Sequence, residues 1–286
     1  FPTDNYIAEG VIKQTGGSHE LVLVEGQDDI LNALDDKTAL VMLTHINFRD
    51  GVMLDMEEIT KKAHEAGALI LWDLAHSAGV VPLHLQAVGA DFAVGCGYKY
   101  LNGGPGAPAF IYVARQHLGQ FTQPLSGWFA HKAPFDFTPD YQAAEDVKQY
   151  LCGTPPILSL VALDEALSLW QDIQMEDVRQ KSIQLCDYFI ELVEAYCGGH
   201  GLRLISPKEG QLRGSQISYT HDEAGYAIMA ALIDRGVIGD FRAPNILRFG
   251  FAPLYIRFED IWQAVQILSD ILENRLWDQP HYHKRK

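Results

Sequence analysis

The chain has 286 residues, 48% of them apolar and 21% charged, enough to bury a sizeable core without a disulfide or metal staple. By length it allows about two domains. With 37 acidic and 22 basic residues it carries a net charge of −15, which argues against a phosphate-backbone binder and against an anionic membrane surface as partner. The four cysteines, Cys96, Cys152, Cys186 and Cys197, form no CxxC pair, so neither zinc nor a redox couple is suggested. They read as buried or idle thiols of a reducing cytosol. No apolar run approaches the ~20 residues of a membrane span, and no signal-peptide pattern is visible. The chain opens Phe1-Pro2-Thr3-Asp4 without a methionine, and reads as a processed or incomplete piece of a longer protein.

In chain order, Ala39 to Thr44 predicts a buried strand, Glu57 to Ala66 a helix ended by Gly67, and Ala68 to Asp73 a second strand. Asp91 to Gly95 predicts a third and Ala109 to Val113 a fourth. Near-continuous apolar strands separated by helices predict a mainly parallel sheet covered on both faces, the α/β class. Residues 120–156 are irregular and rich in Pro, Phe and Gly; a stretch this long is expected to be functional. From Ile157 the spacing of Leu160, Val161, Leu163, Leu167 and Trp170 predicts an amphipathic helix. A second helix is expected over 178–196, stopped at Gly198-Gly199. The rest predicts a smaller α/β unit, with strands at 201–206, 216–220 and 237–241 and helices at 223–235 and 258–275. The division is thus a large domain over 1–156 and a linking helix with a small domain over 157–286. The tail 281–286 reads as a solvated end.

Ligands of open α/β sheets bind beyond the carboxyl ends of the strands. Three such ends carry polar groups here: Thr44 and His45; Asp73 and His76; Tyr98 and Lys99. Lys99 sits between two tyrosines, after an apolar strand and before a glycine-rich turn. Desolvation there lowers an amine's pKa and makes it a nucleophile toward a carbonyl, most commonly in a Schiff base with pyridoxal phosphate. Asp73, at a buried strand end, needs a partner; a pyridinium nitrogen would be one, a backbone amide or arginine another. His76 has a place over or beside such a ring. Gly95-x-Gly97 is not a dinucleotide fingerprint, because position 100 is Tyr and a lysine stands inside the turn. Hydride transfer is therefore a poor fit.

Several stretches together resemble one family. They are Phe1-Pro2-Thr3-Asp4-x-Tyr6, Thr44-His45-x-x-Phe48-Arg49-x-Gly51, Trp72-Asp73-Leu74-Ala75-His76-Ser77-Ala78-Gly79 and Gly95-x-Gly97-Tyr98-Lys99-Tyr100. Further on come Gly127-Trp128, Gly153-Thr154-Pro155-Pro156, and Gly239-Asp240-Phe241-Arg242-x-Pro244 running into Leu247-Arg248-Phe249-Gly250. The set resembles the class V branch of the fold-type I pyridoxal-phosphate enzymes, and within it kynureninase of the bacterial kind, over essentially the whole chain.

The resemblance implies a hydrolase of tryptophan catabolism, in the kynurenine pathway that also feeds NAD biosynthesis. Its substrate would be L-kynurenine, or 3-hydroxy-L-kynurenine, and its products anthranilate (3-hydroxyanthranilate) and L-alanine. Lys99 would carry pyridoxal phosphate and shuttle the Cα proton, Asp73 would hold the pyridinium nitrogen with Asp4 close by, and Phe1 would stack on the ring. Thr44 and His76 would line the cofactor, and Tyr98 would bind its phosphate and act in proton transfer. Trp128 and Thr154 would reach the neighbouring subunit's site, which implies a homodimer in the cytoplasm. Arg248 would pair with the substrate α-carboxylate, for which a planar fork suits better than lysine. Family members carry a further N-terminal segment whose helix N-terminus grips the phosphate; it is not among these residues, which leaves Tyr98 and Trp128 with reduced help. Two alternatives stand beside this reading. One is another class V enzyme such as a cysteine desulfurase, with Cys152 as its reactive thiol. The other is an inactive fragment with only an interaction role.

Overall fold

The structure, a computed structural model, describes residues 1–284; Arg285 and Lys286 of the expected solvated tail lie outside the described residues. The first sheet is formed by β1 (Leu40–Thr44), β2 (Leu69–Asp73), β3 (Phe92–Cys96) and β4 (Ala109–Val113), in that order. The first three run parallel, and β4 returns antiparallel at the edge. The central strand β2 buries Ile70 and Trp72 completely, as its apolar run predicts. Helices α1 (Pro2–Gln14) and α2 (Gln27–Ala33), not anticipated above, precede the sheet, and α1 buries none of its side chains.

Helix α3 (Met56–Glu65) crosses from β1 to β2. The Asp55 side chain caps it by accepting from the Glu58 amide, and Gly67, at φ 82°, follows its end. It buries Met56, Ile59, Thr60 and Ala63 against the sheet, where Trp72 Nε1 donates to Thr60 Oγ1 at 3.1 Å. Among the described residues no helix links β2 to β3. Residues 74–91 run as successive turns. Gly79 lies so close to the Tyr100 carbonyl that an added Cβ would stand 2.7 Å from its oxygen, at a φ of 93° that glycine accepts freely.

The second sheet is antiparallel throughout, in the order β5 (Arg203–Leu204), β6 (Gln216–Thr220), β8 (Ile246–Gly250), β7 (Asp240–Arg242). It shares one core with α5 (Met175–Tyr196), α6 (Gly225–Asp234) and α7 (Phe258–Glu273), built around Phe189, Ile217, Ile228, Leu247 and Val265. The expected strands at 201–206 and 237–241 shrink to Arg203–Leu204 and shift to Asp240–Arg242, and β8 was not anticipated at all. Its period-two alternation buries Leu247 and Phe249 under the helices and turns Arg248 to the other face.

Helix α4 (Ile157–Ser168) also departs from expectation: its apolar residues form no stripe buried within the chain. Leu158 is 88% exposed, Val161 61%, and Ala166 is the one buried residue of the helix. The tail is anchored rather than solvated at Tyr282, which is buried and donates to Asp234 Oδ2 at 2.9 Å.

The segment after β1 joins the two sheets. Gly214 N donates to Gly51 O at 2.9 Å and Met53 N to Leu212 O at 2.9 Å. Ser218 Oγ and Gln216 Nε2 donate to the carbonyls of Arg49 and Phe48, and Tyr100 Oη donates to Ser215 O at 2.8 Å. The second sheet is therefore held against the carboxyl ends of the first. Among the described residues no helix is long and apolar enough to cross a membrane.

Candidate active site

Thr44 and Asp73 end β1 and β2 side by side, because parallel register pairs them. Thr44 Oγ1 donates to Asp73 Oδ2 at 3.4 Å, and the Ala75 amide donates to Asp73 Oδ1 at 2.8 Å. Burial pushes the Asp73 carboxyl above the usual carboxylate range; the Ala75 hydrogen bond opposes this, and the negative charge of Asp4 on α1 adds to it. The next turn delivers His76. Burial drives its pKa down to about 3, helped by the positive charges of Lys99, Arg248 and Arg242, so the ring is neutral at physiological pH. Its Nδ1 is buried with no hydrogen-bond partner among the described residues.

Lys99 follows β3 on the adjacent turn, its Nζ 5.6 Å from the centre of the Tyr98 ring. Burial lowers its amine pKa, with the Cys96 thiol and Asp73 pulling the other way and Arg248 and Arg242 adding to the fall. Phe1 meets Phe48 edge to face, ring centres 5.0 Å apart. Arg248 reaches the site from the second sheet: Nη1 donates to Phe48 O at 2.6 Å and Nη2 to Asp240 Oδ2 at 2.5 Å.

Phe1, Asp4, Thr44, Asp73, His76, Tyr98, Lys99 and Arg248 thus gather where the two sheets meet. Trp128 and Thr154 do not join them: among the described residues no contact links either to Lys99, Asp73 or His76. The residues that flank them meet instead. Gly127 packs so tightly on the Cys152 carbonyl that any Cβ would overlap it, and Trp128 stacks with Phe137 at 6.2 Å. Sequence reasoning gave no role to Phe48, Arg242, Asp240 or Gln216. The first three lie inside the motif stretches, but only β8 and its register show that they converge; Gln216 carries no signal in the sequence.

The residues fit pyridoxal phosphate. A lysine with a lowered amine pKa, a carboxylate at a strand end for a ring nitrogen, and a buried His76 Nδ1 with no hydrogen-bond partner among the described residues are the groups such a cofactor engages. Fold and site together define a fold-type I pyridoxal-phosphate enzyme of the class V branch. Solved structures agree on the fold. A cysteine desulfurase from Thermococcus onnurineus NA1 superposes with a TM-score of 0.75 at 20% identity, over 89% of this chain and 66% of that one. An alanine–glyoxylate aminotransferase from Nostoc sp. gives 0.67 at 22%, over 87% and 66%.

Sequence similarity goes further. The family model for the kynureninase C-terminal domain matches residues 178–268. Kynureninases from Pseudomonas fluorescens and from Burkholderia mallei strain SAVP1 are each 50% identical over 285 residues, all of this chain and 68% of theirs. The chain belongs to the kynureninase family, pyridoxal-phosphate-dependent hydrolases that cleave a carbon–carbon bond. The desulfurase alternative rests on likeness of fold alone.

Proposed function

We propose that this chain hydrolyses L-kynurenine, or its 3-hydroxy form, with Lys99, Asp73 and Tyr98 as its catalytic residues. The observation that carries the reading is the convergence of Lys99, Asp73 and His76 at adjacent strand ends, with Arg248 facing them from the second sheet. Water supplies a hydroxyl to the substrate's ketone carbon and a proton to the methylene beside it. The bond between them breaks, leaving the carboxylate of anthranilate and the methyl of L-alanine. When bound, pyridoxal phosphate supplies an electron sink for negative charge at the substrate Cα.

Lys99 would hold the cofactor through Nζ and, once substrate has displaced that nitrogen, would take the Cα proton on Nζ and shuttle it. Its lowered pKa keeps a larger neutral, basic fraction for that transfer. Asp73, supported by Thr44 and the Ala75 amide, keeps a proton on the ring nitrogen. His76, neutral, meets the cofactor as a hydrogen-bonding group rather than a charge. Tyr98 takes the phosphate and Phe1 the ring face, with Asp4 behind. Arg248 orients the α-carboxylate.

The reading extends to a homodimer in the cytoplasm, with domains dividing at 156/157. Leu158 and Val161 on α4 are exposed, and so are Phe135 and Phe137 beside Trp128; each is an apolar patch suited to a second copy. Trp128 and Thr154 would then complete the partner's site. The test is the cofactor-loaded protein with L-kynurenine, followed by anthranilate fluorescence and an alanine assay together. Products in a one-to-one ratio are expected; neither product would overturn the reading.

A further inference from the structure

The strand pair β7–β8 presents three charged side chains on one face. Asp240 stands opposite Arg248 in the antiparallel register, and Arg242 follows Asp240 by two positions, so all three point the same way. One carboxylate oxygen serves both cations: Asp240 Oδ2 lies 2.5 Å from Arg248 Nη2 and 2.8 Å from Arg242 Nη2. Arg242 also lies 6.0 Å from the centre of the Phe48 ring, whose backbone carbonyl holds the other arm of Arg248. The Nε of Arg242 is buried without a hydrogen-bond partner among the described residues.

Two guanidiniums sharing one carboxylate leave the trio with one uncompensated positive charge. That surplus matches the single negative charge of an amino acid's α-carboxylate. Each arginine alone with Asp240 would make a neutral pair, in which an arriving carboxylate gains little attraction and meets repulsion from Asp240.

We propose that Arg242 is a positioning residue for substrate binding: it neutralises Asp240, and so keeps the charge of Arg248 free for the substrate α-carboxylate. The proposal rests on the reading of Arg248 given above. It makes the effect of losing Arg242 depend on Asp240. Arg242→Gln leaves Asp240 to compensate Arg248, whereas Arg242→Gln with Asp240→Asn frees Arg248 again. A strut that merely braced the sheet would behave differently, since removing both ends would harm at least as much as removing one.

The experiment compares cofactor-loaded parent and variants by kcat and KM for L-kynurenine, and by calorimetric Kd for L-alanine, which carries the same α-carboxylate and needs no turnover. Arg242→Gln is expected to raise KM and the alanine Kd about tenfold or more, the range of close charge pairs, with kcat changing far less. The double variant is expected to return both constants to within about threefold of the parent. Should Arg242→Gln fail to fold, Asp240→Asn alone must leave alanine binding unweakened and Arg242→Lys must stay near the parent. A double variant as weak as Arg242→Gln, or Asp240→Asn weakened about tenfold, would overturn the proposal. Arg248→Gln separates the two readings. If it binds alanine and substrate as the parent does, Arg248 is not the carboxylate anchor. If it weakens both while the double variant fails to recover, only the role given to Arg242 is lost.

Discussion

Thr44 Oγ1 donates to Asp73 Oδ2 across the carboxyl ends of two parallel strands, with Thr44 and Asp73 as register partners. Both side chains leave the sheet at the same height, which places a hydroxyl donor on a carboxylate that burial otherwise disfavours in its charged form. The bond is long, so its contribution falls below the usual range for hydrogen bonds to charged groups. Thr44→Val is expected to weaken retention of pyridoxal phosphate by about 1 kcal/mol, or about fivefold, in an equilibrium titration. Unchanged affinity would remove Thr44 from the cofactor site.

Lys99→Ala tests the nucleophile. The variant is expected to keep the parent's fold by circular dichroism and to lose the visible absorbance of a lysine–pyridoxal-phosphate Schiff base altogether. Survival of that band would assign the cofactor to another amine.

Acid stability should report on His45. It is buried behind the site, with Nδ1 2.9 Å from Ser77 Oγ and its ring against Trp72, and burial lowers its pKa from 6.5 to about 4. The unfolded chain therefore binds the proton more readily than the folded one. The histidine's contribution is fully present above pH 6.5 and is lost as the pH falls from there toward 4. Between pH 7 and pH 5 this amounts to about 2 kcal/mol of unfolding free energy. His45→Gln is expected to flatten that limb of a urea-unfolding profile; an equally steep fall would place the acid sensitivity elsewhere.

The exposed face of α4 makes a prediction about assembly. Leu158 stands almost fully in solvent, so Leu158→Asp is expected to cost the isolated fold no more than about 0.5 kcal/mol. At a dimer interface the same carboxylate would be desolvated unpaired. Sedimentation should then show the parent as a dimer and the variant shifted to monomer. A variant that stays dimeric would place the interface on another surface.

The sequence by itself determined the first sheet and the polar groups at its carboxyl edge. The runs at 40–44, 69–73, 92–96 and 109–113 are apolar enough to be strands whatever surrounds them, and a polar group after such a run stands at a carboxyl edge, where α/β sheets bind ligands. Asp73, His76 and Lys99 were legible for that reason. The tertiary structure alone decided what faces them. Strand β8 is short, and its charged Arg248 between Leu247 and Phe249 gains meaning only when one face is covered by helices and the other meets Phe48. Asp240, Arg242 and Arg248 become one charged group through antiparallel register, which local propensity does not encode. Helix α4 shows the converse: its apolar residues fixed a helix, but where that face is buried is a property of packing and not of spacing.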